Sequence, residues 1–171
     1  TIKIDAKNME FSEVIINGKS VKFKNSGKTL DLFEGFKKGK NKLTFRYSAK
    51  PKQTLYFTAD FSNGTGQIWT QGQGRYTSHW LPSFDDVNEK VIFNISVEFD
   101  FDIFGENSII SNGNLDYFEI YPPLSAFPDV WSFQMQKPMS SYLVMLAIGN
   151  FEKQTTTTKS GTPLEFYLDK N

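Results

Sequence analysis

Apolar and polar residues alternate with a period of two along most of this chain, and turn-forming residues break the alternation roughly every ten positions. Thr1-Ile2-Lys3-Ile4-Asp5 sets the pattern: successive side chains of a strand point to opposite faces, so one face of this segment is apolar and the other wet. Residues 11–16 and 20–24 flank Asn17-Gly18, a pair suited to a type I′ turn because both central positions need φ > 0. Further strands are expected at 42–47, 54–58, 90–99, 117–121, 131–135, 142–148 and 164–168, where β-branched and aromatic residues dominate. No segment keeps a helical period beyond a turn, and strands do not alternate with helices as a parallel sheet requires. The expected fold class is all-β, an antiparallel-rich β-sandwich.

Residues 59–82 form the longest stretch without an expected strand, rich in glycine and containing Gln71-Gly72-Gln73-Gly74. Loops of that length in a compact domain are usually functional or disordered. Pro122-Pro123 and Pro128 mark a second irregular segment, and 155–160 reads as a polar hairpin tip. There is no internal repeat and no linker, so residues 1–171 are expected to form a single β-domain. With 39% hydrophobic and 16% aromatic residues the chain can bury a substantial core, and most of its 17 phenylalanines belong there.

Nineteen basic side chains balance nineteen acidic ones, and the zero net charge argues against a nucleic-acid partner. No apolar run approaches the roughly 20 residues that span a bilayer, so no membrane span is expected. There is no cysteine, which removes disulfides, thiolate nucleophiles and cysteine-ligated zinc; it suits a reducing cytosol and many periplasmic domains equally. One histidine, His79, cannot build a metal site that needs two imidazoles. No catalytic residue, metal ligand or cofactor is therefore expected within the chain. Asn63-Gly64-Thr65 and Asn94-Ile95-Ser96 match the glycosylation acceptor pattern, which matters only on a eukaryotic secretory route. Opening on Thr1 without a signal-peptide pattern, the sequence reads as a piece of something longer.

The sharpest local feature is Ile68-Trp69-Thr70-Gln71-Gly72-Gln73-Gly74, followed by His79-Trp80-Leu81-Pro82-Ser83-Phe84-Asp85-Asp86. Gln71 and Gln73 lie two apart, so in extended backbone both amides project to one side. Two neutral amides beside glycine backbone suit an ammonium, an amide or a sugar hydroxyl; the alternative is a loop whose glutamines bond their own backbone. Asp85, Asp86 and Glu89 lack the spacing of a calcium loop and read as caps of a short turn. Asp100 and Asp102 read as the wet side of a strand end, Lys37-Lys38-Gly39-Lys40 as a solvated turn, and His79 as a packed or capping residue.

Thr70-Gln71-Gly72-Gln73, eight residues, then Pro82, Asp85 and Lys90 resemble the N-terminal domain of the gluzincin zinc aminopeptidases, the family of aminopeptidase N and leukotriene hydrolase. A second match is independent of the first. Pro138-Met139-Ser140-Ser141-Tyr142-Leu143-Val144 with Ala147-Ile148-Gly149-Asn150-Phe151 resembles a strand of that domain, and Thr158 to Glu165 resembles its last hairpin.

The resemblance implies a saddle-like β-domain followed in the parent protein by a zinc catalytic domain that releases N-terminal amino acids from peptides. The zinc motif His-Glu-x-x-His does not occur in these 171 residues, so the fragment itself is expected to be inactive. In the family the Thr-Gln-x-Gln/Glu segment reaches the active site, and its last residue, matching Gln73, accepts hydrogen bonds from the substrate α-ammonium. The implied partners are a downstream catalytic domain, which holds the zinc, and the N-terminus of a peptide. Several relatives carry arginine at Ser78, cysteine at Ser83 and proline at Val87, so no salt bridge from an arginine at that position is expected in this loop. Family domains also carry about two strands before the position of Thr1, which implies a shortened start with an exposed edge. Two alternatives remain at this level: a related scaffold without catalysis, and a carbohydrate-binding sandwich with Trp69 and Trp80 as sugar platforms.

Overall fold

A computed structural model describes residues 1–58, 65–99, 108–121 and 127–169. In chain order the strands are β1 (Ile2–Asp5), β2 (Met9–Ile16), β3 (Lys19–Ser20), β4 (Phe23–Asn25), β5 (Thr29–Leu32) and β6 (Leu43–Ala49). Next come β7 (Leu55–Thr58), β8 (Gln67–Thr70), a 3₁₀ turn at Thr77–His79, β9 (Lys90–Val91) and β10 (Ile95–Phe99). The rest are β11 (Ser108–Ser111), β12 (Asn114–Glu119), β13 (Asp129–Gln134), β14 (Met139–Ser140), a 3₁₀ turn at Ser141–Leu143, β15 (Leu146–Gly149), β16 (Phe151–Thr157) and β17 (Pro163–Asp169). Every strand pairing among the described residues is antiparallel, so the all-β expectation holds.

The contacts gather into two compact units. The first comprises residues 1–55, 71–91 and 139–144. It packs the sheet β1-β5-β4 against the sheet β3-β2-β6. The period-two pattern supplies the core: Ile4 and Ala6, Val14 and Ile16, and Leu30 and Leu32 are alternate residues, all buried, with Phe45 and Tyr47 packed against them. Asn17 and Gly18 turn with φ of 51° and 81°, as a type I′ hairpin requires. Strand β1 lies at a sheet edge.

The second unit packs β10-β13-β12 against β11-β15-β8-β7 around Phe99, Ile109, Phe133, Leu146 and Ile148. The hairpin β16-β17 pairs in register from Phe151↔Asp169 to Thr157↔Pro163.

Several expected boundaries are corrected. Residues 90–99 are two strands, because β9 pairs with β14 whereas β10 pairs with β13. Residues 142–148 do not begin as strand: the Ser141 carbonyl accepts the Val144 amide and closes a 3₁₀ turn, and the strand is Leu146–Gly149. The stretch 59–82 contains β8, whose Ile68 and Trp69 pair with Ile148 and Ala147. Its period-two core was masked by flanking glycines. The tip expected at 155–160 is shifted, with β16 running through Thr157 and the turn following it. β5, β11 and β16 were not anticipated. The Asn63-Gly64 pair, Asp100, Asp102 and Pro122-Pro123 lie outside the described residues.

Leu30 has no exposed surface, so Leu30→Ala is expected to cost about 2–5 kcal/mol through lost transfer energy and the cavity left behind. Phe57, 62% exposed, is the control: Phe57→Ala is expected within about 0.5 kcal/mol of the parent in urea unfolding.

Candidate functional site

The segment carrying Gln71 and Gln73 is held by backbone contacts on both sides. Thr54, fully buried, accepts the Gln71 amide on its carbonyl at 2.7 Å and donates its hydroxyl to the Tyr76 carbonyl at 2.9 Å. Its φ is +78°, a left-handed conformation that a β-branched residue reaches only at a cost of about 1–3 kcal/mol. Gly72 is buried against the Tyr142 backbone, where a Cβ would come within 2.7 Å of the carbonyl oxygen. Only glycine allows that approach. Thr77 then donates its hydroxyl to the Ser141 carbonyl at 2.9 Å.

Asp85 anchors the far side of the loop. Its carboxylate accepts the Ser78 hydroxyl at 2.5 Å, the Ser78 amide at 3.2 Å and the Lys7 ammonium at 3.0 Å, and the whole residue is buried. The Asp85 amide donates to Asp5, and Asp5 and Ser83 exchange a pair of backbone bonds. Lys7 also donates to the Arg75 carbonyl at 2.9 Å, tying the loop tip to the same cation. The positive charge of this cluster is supplied by Lys7.

The two sequence motifs meet here. Ser141 donates to the Phe84 carbonyl at 2.8 Å, Ser140 to the Val87 carbonyl at 2.6 Å, and Lys90 to the Ser140 hydroxyl at 2.8 Å. Sequence reasoning quoted Ser140, Ser141 and Lys90 as motif positions without a role. It missed Lys7 and Thr54, whose partners lie 78 and 22 residues away; neither residue type signals its task.

Within this frame Gln71 and Gln73 are both exposed, and Gln71 Nε2 lies 3.5 Å from Gln73 Oε1, a weak contact that leaves the oxygen open to a better donor. Beside the loop a cavity of about 570 Å³ is lined by Lys7, Asn8, Ser26, Gly27, Lys28 and His79, and includes neither glutamine. His79 faces the Gln53 amide nitrogen at 2.8 Å. Burial, and secondarily the Lys7 ammonium, hold its pKa below the ordinary histidine value, with Asp85 pulling the other way. Asp86 accepts the Asn88 amide in a local turn, as a cap does. Trp69 is 37% exposed and leans on Tyr56, but Trp80 is half-buried with its indole nitrogen sealed from solvent, a poor sugar platform. The donor set does not fit a zinc site: the single imidazole already has an amide partner, and among the described residues no three His, Asp or Glu side chains converge.

A model of the peptidase M1 N-terminal domain matches residues 1–143. A probable aminopeptidase of Sulfurisphaera tokodaii is 28% identical over 92% of this chain, which spans only 19% of that relative. Among solved structures, aminopeptidase A of Legionella pneumophila in complex with aspartic acid superposes with a TM-score of 0.79 at 18% identity, over 97% of this chain and 19% of that one. An M1 zinc metallopeptidase from Deinococcus radiodurans gives 0.74 at 15% identity, over 96% of this chain and 38% of that one. At those identities the structures speak for the fold.

Asp85→Ala is expected to free the loop, since each hydrogen bond to a charged group is worth about 1.5–3 kcal/mol. Tryptic cleavage after the exposed Arg75 should accelerate markedly in that variant and less in Lys7→Ala. A second expectation concerns pH. The fold favours neutral His79, so this stabilisation is complete above the unfolded pKa of about 6.5 and is lost as pH falls through the lower folded value. Thermal unfolding between about pH 7.5 and 5 should show a smaller drop in midpoint for His79→Gln than for the parent chain.

Proposed function

This chain belongs to the peptidase M1 N-terminal domain family, and on that premise we propose that it is the non-catalytic β-domain of a zinc aminopeptidase, supplying Gln73 to bind the substrate's free α-amine. The single observation that carries the assignment is the open amide oxygen of Gln73 on a loop pinned at Thr54, Gly72 and Asp85. An ammonium needs oxygen acceptors, and a fixed acceptor binds it at a lower entropic cost than a mobile one. Gln71 has the positioning part: its amide nitrogen steadies the Gln73 oxygen.

The partner that completes the subsite is a catalytic domain elsewhere in the same polypeptide. The relatives' greater length leaves room for it, and zinc would reside there, since the donors of this chain do not fit the metal. Residues 1–171 are read as one β-domain within that parent. Leu164, Phe166 and Leu168 alternate along β17 and stay exposed, an apolar row that further polypeptide would cover.

The test is steady-state kinetics of the parent on one aminoacyl amide, with zinc content checked in each variant. Gln73→Ala is expected to weaken substrate binding roughly 10- to 100-fold, the worth of a hydrogen bond to a charged group. Gln73→Glu should retain or tighten binding, because an ionised acceptor holds a cation more strongly. Gln71→Ala should have the smaller effect; the reverse ranking would assign the amine to Gln71.

A further inference from the structure

The zero net charge conceals a segregation. Residues 1–55 carry 13 of the 19 basic side chains and 5 of the 19 acidic ones, a net charge of +8, and the remainder of the chain carries −8. Six of those lysines lie at one end of the first unit. Asn17 donates through Nδ2 to the Gly35 carbonyl and to Asn41 Oδ1, its backbone amide donates to the Lys42 carbonyl and its Oδ1 accepts the Lys42 amide, while Asn41 donates to the Lys37 and Gly39 carbonyls. The Lys22 amide donates to Glu34. These bonds bundle three turns into one tip bearing Lys19, Lys22, Lys37, Lys38, Lys40 and Lys42, all exposed, with Glu34 the carboxylate among them. Among the described residues none of the six lysines forms an ion pair.

We propose that this tip is a peripheral docking surface for an anionic lipid membrane. Three features select that partner. The cations are all lysines, point charges that suit a diffuse anionic surface, and no arginine offers the bidentate fork that reads phosphates or bases. The surface is a cluster of projecting turns, whereas single-stranded nucleic acid tracks along a groove. Phe33, 55% exposed, stands next to Glu34 in the same segment and gives the tip an apolar residue to insert at the headgroup boundary. The tip is also remote from the Gln73 loop. Strand β2 starts at Met9, near Lys7 of the Asp85 cluster, and ends at Ile16 beside the Asn17 turn; its eight residues, at roughly 3.3 Å each, separate the two ends by about 23 Å.

The test is cosedimentation of the 171-residue chain with vesicles of phosphatidylserine in phosphatidylcholine, against vesicles of phosphatidylcholine alone. Binding is expected to the anionic vesicles only and to weaken with added salt. Each lysine near an anionic surface contributes about a fivefold factor, so Lys37→Gln/Lys38→Gln/Lys40→Gln should lower partition about 100-fold. Lys28→Gln/Lys50→Gln/Lys52→Gln removes the same charge from the opposite end of the unit and should stay much nearer the parent. Phe33→Ala should weaken binding by a part that persists at high salt. Equal loss in both triple variants, equal binding to neutral vesicles, or no sedimentation would overturn the proposal. So would a chain that ignores vesicles but binds duplex DNA or its own copies through the same lysines.

Discussion

A buried carboxylate organises the part of the molecule that matters here. Asp85 takes two bonds from Ser78 and one from Lys7 and hands its own amide to Asp5, so one side chain ties the opening strand to a loop some 80 residues later. A charge removed from water must be matched by donors, and the fold meets that demand with Ser78 from the loop and Lys7 from the start of the chain. Long-range order follows: wherever Asp85 is satisfied, Ser78 and Arg75 are fixed too, and with them the start of the 3₁₀ turn. The serine hydroxyls of the second motif complete the frame, bonding the carbonyls of Phe84 and Val87.

What the frame delivers is an exposed amide on unexpectedly firm backbone. Loops usually gain exposure by giving up order. Here Thr54 sits in a left-handed conformation that Thr54 itself disfavours, and the two bonds it makes to Gln71 and Tyr76 hold it there. Gly72 lets the loop lie directly on the Tyr142 backbone. Gln73, one residue further, is outside all of these contacts except the weak one from Gln71. The backbone is thus held up to residue 72, and the Gln73 amide just beyond it stays exposed.

Much of the fold was legible because burial on one face of a sheet enforces a period of two. The Ile4-Ala6, Val14-Ile16 and Leu30-Leu32 pairs follow it, and Asn17-Gly18 announces its turn by residue type. Legibility failed where local signals conflicted. Glycines around β8 made a central strand read as loop, and the polar, serine-rich Ser140-Ser141 pair hid a 3₁₀ turn inside an apolar run. For the site, Gln71 and Gln73 stood out through their motif, whereas Lys7 did not. A lysine's role depends on which carboxylate the fold brings to it, and that partner is 78 residues away.

The lysines also show why a total charge is a poor summary of a surface. Lys7 and Lys37 are chemically identical, but Lys7 finds a buried carboxylate and is absorbed into the frame, while Lys37 bonds the Asn41 side chain through its backbone only and, exposed and in no ion pair among the described residues, keeps its charge for solvent. The zero sum over 171 residues averages these uses together with an acidic remainder of the chain. Because screening confines each exposed charge to about 10 Å at ordinary salt, a partner approaching the Asn17–Asn41 tip meets the local excess and not the balance. Exclusions drawn from net charge therefore hold only for chains whose charges are mixed along their length, and this one sorts them by segment.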